Sequence, residues 1–403
     1  MQSEISVQKG NSQLIQTIQS EIRRKGCLTF ARFMELALYD PRDGYYMTPH
    51  SQVTPAMETG RERIGWSGDF YTAPDVHPLL AKAIFKQIQE VDDLLHHPSE
   101  LTILEMGGGK GLLARDILRE CEMVAPEVLS RLSYLLVECS PAMRASQEHH
   151  LGEFLQKGLS IQWASSLSEL ETGQVTGVIF SNEFVDALPV HRVTVKDGSL
   201  KEVFVDCEGE GFGERMGPLS SDEISTYLKD GHVNLPEGYT TEIHLEALRW
   251  IGEVDRVLDK GIVLTIDYGH TVQDYYGSSR KNGTLLCYYR HTVSDQPYAH
   301  VGEQDITAHV NFSGLALAGE RAGLSVAGFT NLMSFLLGLG AEEMLAGLEQ
   351  ESKELQSAIH LLRPNGMGET FKVLIQHKGI KAPSLMGLRY RPFFEGALLG
   401  GGL

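Results

Sequence analysis

The sequence lacks paired cysteines, zinc-type spacings and long apolar runs. Its five cysteines include no CxxC pair, and an odd number of scattered cysteines is typical of a reducing compartment. We therefore predict no metal site. No apolar run reaches the roughly 18–20 residues that a membrane-spanning helix needs, so no membrane insertion is expected.

Basic residues are scarce relative to acidic ones. The chain has 35 Lys and Arg against 53 Asp and Glu, which gives a formal net charge of -18. Because nucleic-acid binding depends on basic side chains that replace counterions, we expect no nucleic-acid partner. A cationic acceptor, such as an arginine-bearing protein, suits this charge, although an acidic surface also serves solubility alone.

The first residues, MQSEISVQKGNSQ, resemble no targeting signal. They have neither the apolar core of a signal peptide nor the Arg-rich, acid-free composition of a transit peptide. A cytoplasmic location is therefore expected. With 42% hydrophobic and 22% charged residues, the chain has the composition of an ordinary globular protein.

Apolar periodicity predicts an α/β fold. Short apolar segments alternate with amphipathic ones, which is typical of a parallel sheet covered by helices on both faces. The predicted strands are Leu101–Glu105, Tyr134–Glu138, Ile161–Trp163, Val178–Ser181 and Ile262–Asp267, with closing strands at Leu324–Phe329 and Phe371–Gln376. The predicted helices are 11–25, one that ends at Tyr39, one from Asp75 with Pro78 in its first turn, Leu112–Cys121, Pro141–Leu155, Glu242–Leu258 and a stretch near 341–363.

Three segments interrupt this alternation. Residues 40–75 are rich in Gly, Pro, Thr and aromatic residues and predict a long functional loop. Residues 190–206 predict a hairpin that turns at Asp197-Gly198. Residues 271–312 are rich in Tyr and His and are expected to be mostly irregular.

A glycine-rich turn follows the first predicted strand. Glu105 is followed by Gly107, Gly109 and Gly111 at alternate positions, and an amphipathic helix comes next. Glycine lets the backbone turn sharply and lets a ligand approach without a Cβ. Dinucleotide sites usually have the spacing G-x-G-x-x-G. The E-x-G-x-G-x-G pattern favours S-adenosylmethionine, since Glu105 suits its cationic ammonium and sulfonium groups.

The next strand ends in Glu138, a second acidic residue. A carboxylate at that position can accept both hydroxyl groups of an adenosyl ribose. The alternative is a solvent-facing helix cap beside Ser140-Pro141, but the glycine turn upstream favours ribose binding, with Ser140 in the same cofactor set. Glu105, Glu138, Asn182 and Asp267 all fall at carboxyl ends of strands, where ligands of such sheets bind.

The segment after the buried strand Val178–Ser181 is the candidate acceptor site. Glu183 and Asp186 lie three residues apart and would share a face if the segment makes one helical turn. Carboxylates there could orient a protonated guanidinium for in-line methyl transfer. The alternative makes Asn182 an N-cap and Glu183 a first-turn acid that the helix dipole favours. Both interpretations can hold together.

These motifs resemble the MidA-type family, which includes mitochondrial complex I assembly methyltransferases. The resemblance covers about residues 15–380. It rests on ordered blocks: Tyr39-Asp40-Pro41, Gly44-Tyr45-Tyr46, Gly68-Asp69-Phe70-Tyr71-Thr72-Ala73-Pro74, the glycine turn at 105–111, Val137-Glu138-Cys139-Ser140-Pro141, Asn182-Glu183-Phe184, Asp186-Ala187-Leu188-Pro189, Ile266-Asp267-Tyr268-Gly269, Gly283-Thr284-Leu285, Tyr289-Arg290-His291, Asp305-Ile306-Thr307-Ala308-His309-Val310 and Phe371-Lys372-Val373-Leu374.

The resemblance implies a class I methyltransferase fold, Rossmann-like, with a seven-stranded, mostly parallel sheet. It implies S-adenosylmethionine as cofactor and symmetric dimethylation of an arginine in a protein substrate, a subunit of NADH–quinone oxidoreductase (respiratory complex I). Homodimerisation stays open. The residues that it assigns are Gly107, Gly109 and Glu138 for the cofactor, Asp69, Phe70 and Thr72 over its methionine end, and Glu183 and Asp267 facing the acceptor. His291 is a candidate proton acceptor.

The resemblance also sets the predicted domain limits. Residues 1–98 would form N-terminal helices and a cofactor-covering loop. Residues 99–380 would form the methyltransferase core, with insertions near 190–240 and 271–315, and 381–403 a C-terminal tail. A non-catalytic, S-adenosylmethionine-binding assembly factor is the main alternative. An NAD-linked oxidoreductase is disfavoured by the spacing of the glycines.

Overall fold

The computed structural model describes residues 10–48, 77–346, 349, 352–391 and 398. The predicted loop at 40–75 lies mostly outside these residues, as does Asp75. The described chain forms two compact units. The segmented unit comprises residues 10–48, 187–246 and 274–309, and the main-sheet unit comprises 77–186, 247–273 and the described residues from 310 onward.

The strands follow in chain order. They are β1 (Leu28–Thr29), β2 (Leu101–Met106), β3 (Leu132–Val137), β4 (Ser160–Ala164), β5 (Val175–Asn182), β6 (His191–Lys196), β7 (Ser199–Glu208), β8 (Gly211–Gly217), β9 (Thr240–Ile243), β10 (Leu258–His270), β11 (Leu286–Tyr289), β12 (Thr292–Ser294), β13 (Asp305–Thr307), β14 (Val310–Asn311), β15 (Ser325–Asn331) and β16 (Phe371–Lys378).

The α-helices are numbered in the same way. They are α1 (Ser12–Lys25), α2 (Phe30–Tyr39), α3 (Leu79–Leu94), α4 (Leu112–Val124), α5 (Pro126–Leu129), α6 (Pro141–His150), α7 (Gly152–Gln156), α8 (Asp222–Asp230), α9 (Leu245–Val257), α10 (Val272–Tyr275), α11 (Phe312–Ala322), α12 (Leu332–Gly338), α13 (Ala341–Leu345) and α14 (Lys353–Leu362). No helix in the described ranges is both long and apolar enough to cross a membrane.

The main-sheet unit is built on a mostly parallel sheet. Its described strands follow the order β15-β16-β10-β5-β2-β3-β4, and β14 pairs with β10 beside this path. The pairs from β4 through β10 are parallel, whereas β16 runs antiparallel to both β10 and β15. The prediction of a mixed α/β fold with a mostly parallel sheet is therefore confirmed.

Burial explains why these segments form the sheet. Every residue of β2 and β3 is buried, as expected for strands that are covered on both faces. Helix α3 buries Leu80, Ile84 and Ile88 at the predicted helical spacing. A large apolar side chain that is buried in this way stabilises the fold by about 1.5–3 kcal/mol.

The segmented unit is assembled from distant parts of the chain. Helix α1 begins after Asn11, whose side chain accepts from two backbone N–H groups, and ends at Gly26 in a left-handed conformation. The two-residue strand β1 pairs with β7, and the sheet continues through β6 to β9, with β8 on the other side of β7. The predicted hairpin at Asp197-Gly198 is confirmed by the β6–β7 pairing.

The predicted start of one helix is wrong. The long helix that was predicted to start at Glu242 starts at Leu245, because Glu242 pairs with Arg192 in the β9–β6 ladder. Residues 271–312 are mostly turns, bends and loops, as expected, but they also contain α10 and a small sheet of β12, β11 and β13. The pairing partner of Glu242 lies outside the local sequence window, so the apolar spacing alone could not place the start of this helix.

Candidate active site

The glycine turn joins β2 to α4. Gly107 and Gly111 have φ of +60° and +85°, in the left-handed region that favours glycine. A Cβ at Gly107 would lie 2.7 Å from Cδ2 of Phe184, and one at Gly111 would lie 2.9 Å from Cα of Gln147. A Cβ at Gly109 would meet no atom within 4 Å. The turn is thus closely packed on one side and open at its middle.

Glu105 lies beneath this turn. Its Oε2 accepts a 2.6 Å hydrogen bond from the Tyr134 hydroxyl, and a Cβ at Gly108 would lie 3.2 Å from its Cδ. Burial raises the pKa of Glu105 from 4.5 to about 7, against the lowering effect of the Tyr134 hydrogen bond. This carboxyl group therefore packs against the glycine turn. Its contact with the cofactor cation stays a prediction.

The raised pKa of Glu105 predicts a pH-dependent stability. The folded protein keeps a proton on Glu105 that the unfolded chain releases above pH 4.5, so the stabilisation is lost as pH rises toward about 7. We expect Glu105→Gln, which cannot ionise, to gain about 2–3 kcal/mol in unfolding free energy relative to the unsubstituted protein between pH 5 and pH 8.

Urea titrations of the ligand-free proteins at both pH values measure this difference. Glu100→Gln, at an exposed position just before β2, is the matched control and should show no such trend. An equal effect of Glu105→Gln at pH 5 and pH 8 would contradict the raised pKa.

Glu138 follows β3 and has both carboxylate oxygens fixed. Oε1 accepts from the backbone N–H of Ser140 at 2.8 Å, and Oε2 accepts from Gln147 Nε2 at 3.2 Å. Burial raises the pKa of Glu138 to about 7. The Ser140 hydroxyl accepts from the N–H of Met143 and so caps α6. The arrangement preserves two acceptor oxygens, which suit a pair of ribose hydroxyl groups.

Gln147 is a site residue that the sequence analysis missed. Its Nε2 also donates to the carbonyl oxygen of Gly109 at 2.9 Å, and its Oε1 accepts from Trp163 Nε1 at 2.9 Å. The side chain is fully buried. A polar residue on the otherwise buried face of α6, one turn after Met143, was the signal that could have identified it.

The acceptor segment does not form the predicted helical turn. Residues 183–186 are bends and turns, and Glu183 has a φ of +53°. Its backbone N–H donates to Ile266 O at 3.0 Å, and its Oε1 accepts from Asn182 Nδ2 at 3.1 Å. The Oδ1 atom of Asn182 is buried without a hydrogen-bond partner. A left-handed conformation costs a non-glycine residue about 1–3 kcal/mol, and such residues occur in turns and cluster at functional sites.

Asp267 fixes the backbone of this segment through hydrogen bonds. Its Oδ2 accepts from the backbone N–H groups of Phe184, Val185 and Asp186 at 3.2, 2.8 and 3.3 Å. Burial raises the pKa of this carboxyl group to about 7. Asp267 is fully buried, so the structure makes it a positioning residue for the segment. Asp186 is also buried.

Sheet register brings the strand ends together. Met106 pairs with both Val137 and Ser181, and Ser181 pairs with Thr265. Glu105, Glu138, Asn182 and Asp267 each lie within two residues of this row. The expected convergence at the carboxyl edge is therefore found. Ser181 and Thr265 hydroxyl oxygens are buried there without partners.

The remaining predicted residues are His291, Asp69, Phe70 and Thr72. His291 is exposed, with φ of +58°, in the turn between β11 and β12 of the segmented unit, and its role as proton acceptor stays a prediction. Asp69, Phe70 and Thr72 lie outside the described residues. Asp92, Asp93 and His97 approach one another, but both oxygens of Asp92 bind Arg131, so we assign no metal there.

The main-sheet unit suits S-adenosylmethionine in three respects. The space beside Gly109 admits a ligand, the two oxygens of Glu138 match a ribose diol, and the unpaired Oδ1 of Asn182 can accept from a cationic or amide group. The turn lacks the dinucleotide spacing that a pyrophosphate requires.

Curated relatives align with nearly the whole chain. One relative, from Drosophila melanogaster, is named protein arginine methyltransferase NDUFAF7 homolog, mitochondrial. It is 26% identical over 408 residues, which cover 94% of this chain and 88% of the relative. Protein arginine methyltransferase NDUFAF7, mitochondrial, from Homo sapiens is 25% identical over 409 residues, with 94% and 86% coverage. The expected cytoplasmic location is wrong by this comparison, because the names of these relatives place them in mitochondria.

A solved structure and a family profile agree with these relatives. The crystal structure of a Burkholderia thailandensis protein bound to S-adenosyl-homocysteine is 30% identical, superimposes with a TM-score of 0.82, and covers 94% of this chain and 95% of its own. The profile of the S-adenosyl-L-methionine-dependent methyltransferase family matches residues 79–330. The chain therefore belongs to this family of methyltransferases and uses S-adenosylmethionine as its cofactor.

Proposed function

We propose that the protein methylates an arginine side chain of a protein substrate. Relatives named protein arginine methyltransferases support this acceptor, and so does the net charge of -18, which favours a cationic partner. One observation supports it most directly. The carboxylate of Glu183 is oriented by the Asn182 amide, which donates a hydrogen bond to its Oε1 atom.

Two polar groups can then receive a guanidinium. Arginine has a pKa above about 12 and arrives protonated, so its N–H groups need acceptors that also share its charge. In this proposal Glu183 accepts one edge of the guanidinium, and Asp186 adds negative charge. Asp267 keeps the segment in place through its three backbone hydrogen bonds.

The cofactor supplies a methyl group on a sulfonium when it is bound. In-line transfer forms a bond from carbon to a guanidinium nitrogen and breaks the bond from carbon to sulfur, and the nitrogen loses a proton to solvent. The contribution of this chain is alignment, which can lower such a barrier by about 7–11 kcal/mol. We assign the ribose hydroxyls to Glu138 and the approach of the cofactor backbone to Gly107, Gly109 and Gly111.

Finer assignments are part of the same proposal. The order β4-β3-β2-β5-β10-β16-β15, with β16 antiparallel, supports the seven-stranded class I arrangement. The resemblance to complex I assembly methyltransferases supports a subunit of NADH–quinone oxidoreductase as the acceptor. It also supports Asp69, Phe70 and Thr72 as cover for the methionine end of the cofactor.

Transfer of label tests the proposed acceptor. The protein is incubated with methyl-labelled S-adenosylmethionine and the complex I subunit, and labelled peptides are mapped by mass spectrometry. We expect label on an arginine, and none after that arginine is replaced by lysine in the substrate. Label on lysine, a nucleic-acid base or a small metabolite would contradict arginine as acceptor. Binding of the cofactor without transfer to any acceptor would favour the non-catalytic assembly factor.

A further inference from the structure

Gln147 connects three parts of the cofactor site through one buried amide. Nε2 donates to Gly109 O in the glycine turn and to Glu138 Oε2 after β3, while Oε1 accepts from Trp163 on β4. Each polar atom of the amide is therefore used. The side chain is fully buried, so these hydrogen bonds are shielded from competition with water.

The rest of α6 binds the same turn. Ser146 Oγ donates to Lys110 O at 3.2 Å, and His150 Nδ1 lies 3.0 Å from the same oxygen. Gly111 allows this close approach, because a Cβ there would lie 2.9 Å from Gln147 Cα. Helix α6 thus fixes two consecutive carbonyl groups of the turn, and the side chain of Gln147 extends this contact to the carboxylate of Glu138.

We propose that Gln147 is the positioning residue for the ribose end of the cofactor, because it holds the Glu138 carboxylate at a fixed distance from the glycine turn. This inference rests on the proposed ribose contact of Glu138. Without the amide, Glu138 would lose a side-chain donor and could rotate away from the turn.

The pH at which Glu138 titrates distinguishes a positioning role of Gln147 from a purely structural one. Burial raises the pKa of Glu138, and the Gln147 hydrogen bond lowers it. The titratable groups that face Glu138 are Glu105, beneath the turn, and the adjacent Cys139. Arg144 lies on the same helix as Gln147, and its guanidinium carbon is 5.7 Å from the centroid of the Trp163 ring. Removal of the Gln147 donor should therefore move the titration of Glu138 to higher pH.

The test is calorimetric binding of S-adenosylhomocysteine between pH 5.5 and 9. The unsubstituted protein should bind more weakly as pH falls below about 7, since a protonated Glu138 accepts poorly. Gln147→Met keeps the length of the side chain but offers no hydrogen bond. We expect it to weaken binding about tenfold or more at pH 7 and to move the midpoint of the pH dependence upward, with partial recovery at pH 9.

Two further variants separate the alternatives. Gln147→Glu keeps an acceptor for Trp163 but places a second carboxyl group beside Glu138. It should therefore move the midpoint of the pH dependence of binding further upward. This variant provides the same test if Gln147→Met fails to fold. Glu138→Gln should weaken binding and remove the pH dependence.

A pH-independent loss in both Gln147 variants, or no loss, would overturn the role of Gln147 while leaving that of Glu138 intact. If Glu138→Gln binds as tightly as the unsubstituted protein, with the same pH dependence, the ribose contact of Glu138 fails, and the role of Gln147 fails with it.

Discussion

Replacement of Asp267 by alanine is expected to lower the free energy of unfolding by about 3–5 kcal/mol. The change leaves the N–H groups of Phe184, Val185 and Asp186 without their shared acceptor. It also removes the acceptor of the Tyr268 N–H, which donates to Oδ1 at 2.8 Å. Urea denaturation of the ligand-free protein, followed by tryptophan fluorescence, measures the loss.

Two variants make this result specific. Asp267→Asn retains one oxygen, so it can serve only one of the two groups of donors, and we expect a smaller loss of about 1–3 kcal/mol. Asp259→Ala lies at an exposed position near the start of the same strand and should change stability by no more than about 0.5 kcal/mol. A loss below about 1 kcal/mol for Asp267→Ala would mean that the segment does not depend on this carboxyl group.

Replacement of Glu183 by glutamine is expected to lower kcat by about 10²–10³-fold. The amide keeps the size of the side chain but cannot share the charge of a guanidinium. Because the cofactor is assigned to other residues, the dissociation constant of S-adenosylhomocysteine should change by less than about threefold. Single-turnover methyl transfer and calorimetry measure the two quantities. Glu171→Gln, an exposed acid of the same unit, is the matched control.

The backbone of Glu183 adds a second expectation to this experiment. Its φ of +53° is one that glycine adopts at little cost. Glu183→Gly should therefore leave the free energy of unfolding unchanged or raise it by up to about 1 kcal/mol, while it abolishes transfer. Full turnover in Glu183→Gln would remove this residue from the acceptor site.

Local patterns in the sequence were sufficient to predict much of the fold. The strands at 101–106 and 132–137 are continuous apolar runs, and α1 has its polar cap at Asn11 and its glycine stop at Gly26. Spacing of this kind depends only on neighbouring residues. The glycine turn and the acids at the strand ends were also predictable, because the edge of a parallel sheet collects them.

The details of the site depended on distant residues. The N–H groups of residues 184–186 bind a carboxylate 81–83 positions further along the chain, so spacing alone suggested a helical turn that is not formed. Gln147 was missed for a related reason. Its partners Gly109, Glu138 and Trp163 belong to three different elements, and only the folded sheet brings them to one amide.

The segmented unit has a consequence for synthesis on the ribosome. Its α1 and α2 bury apolar residues such as Leu14 and Phe33 in a core with Val205 and Ile306, and β1 pairs Leu28 with Val205. At about 5–20 residues per second, Val205 emerges about 10–35 s after Leu28. During that interval the two amphipathic helices lack the later segments that complete their core. The nascent chain therefore exposes apolar surface of the kind that chaperones bind.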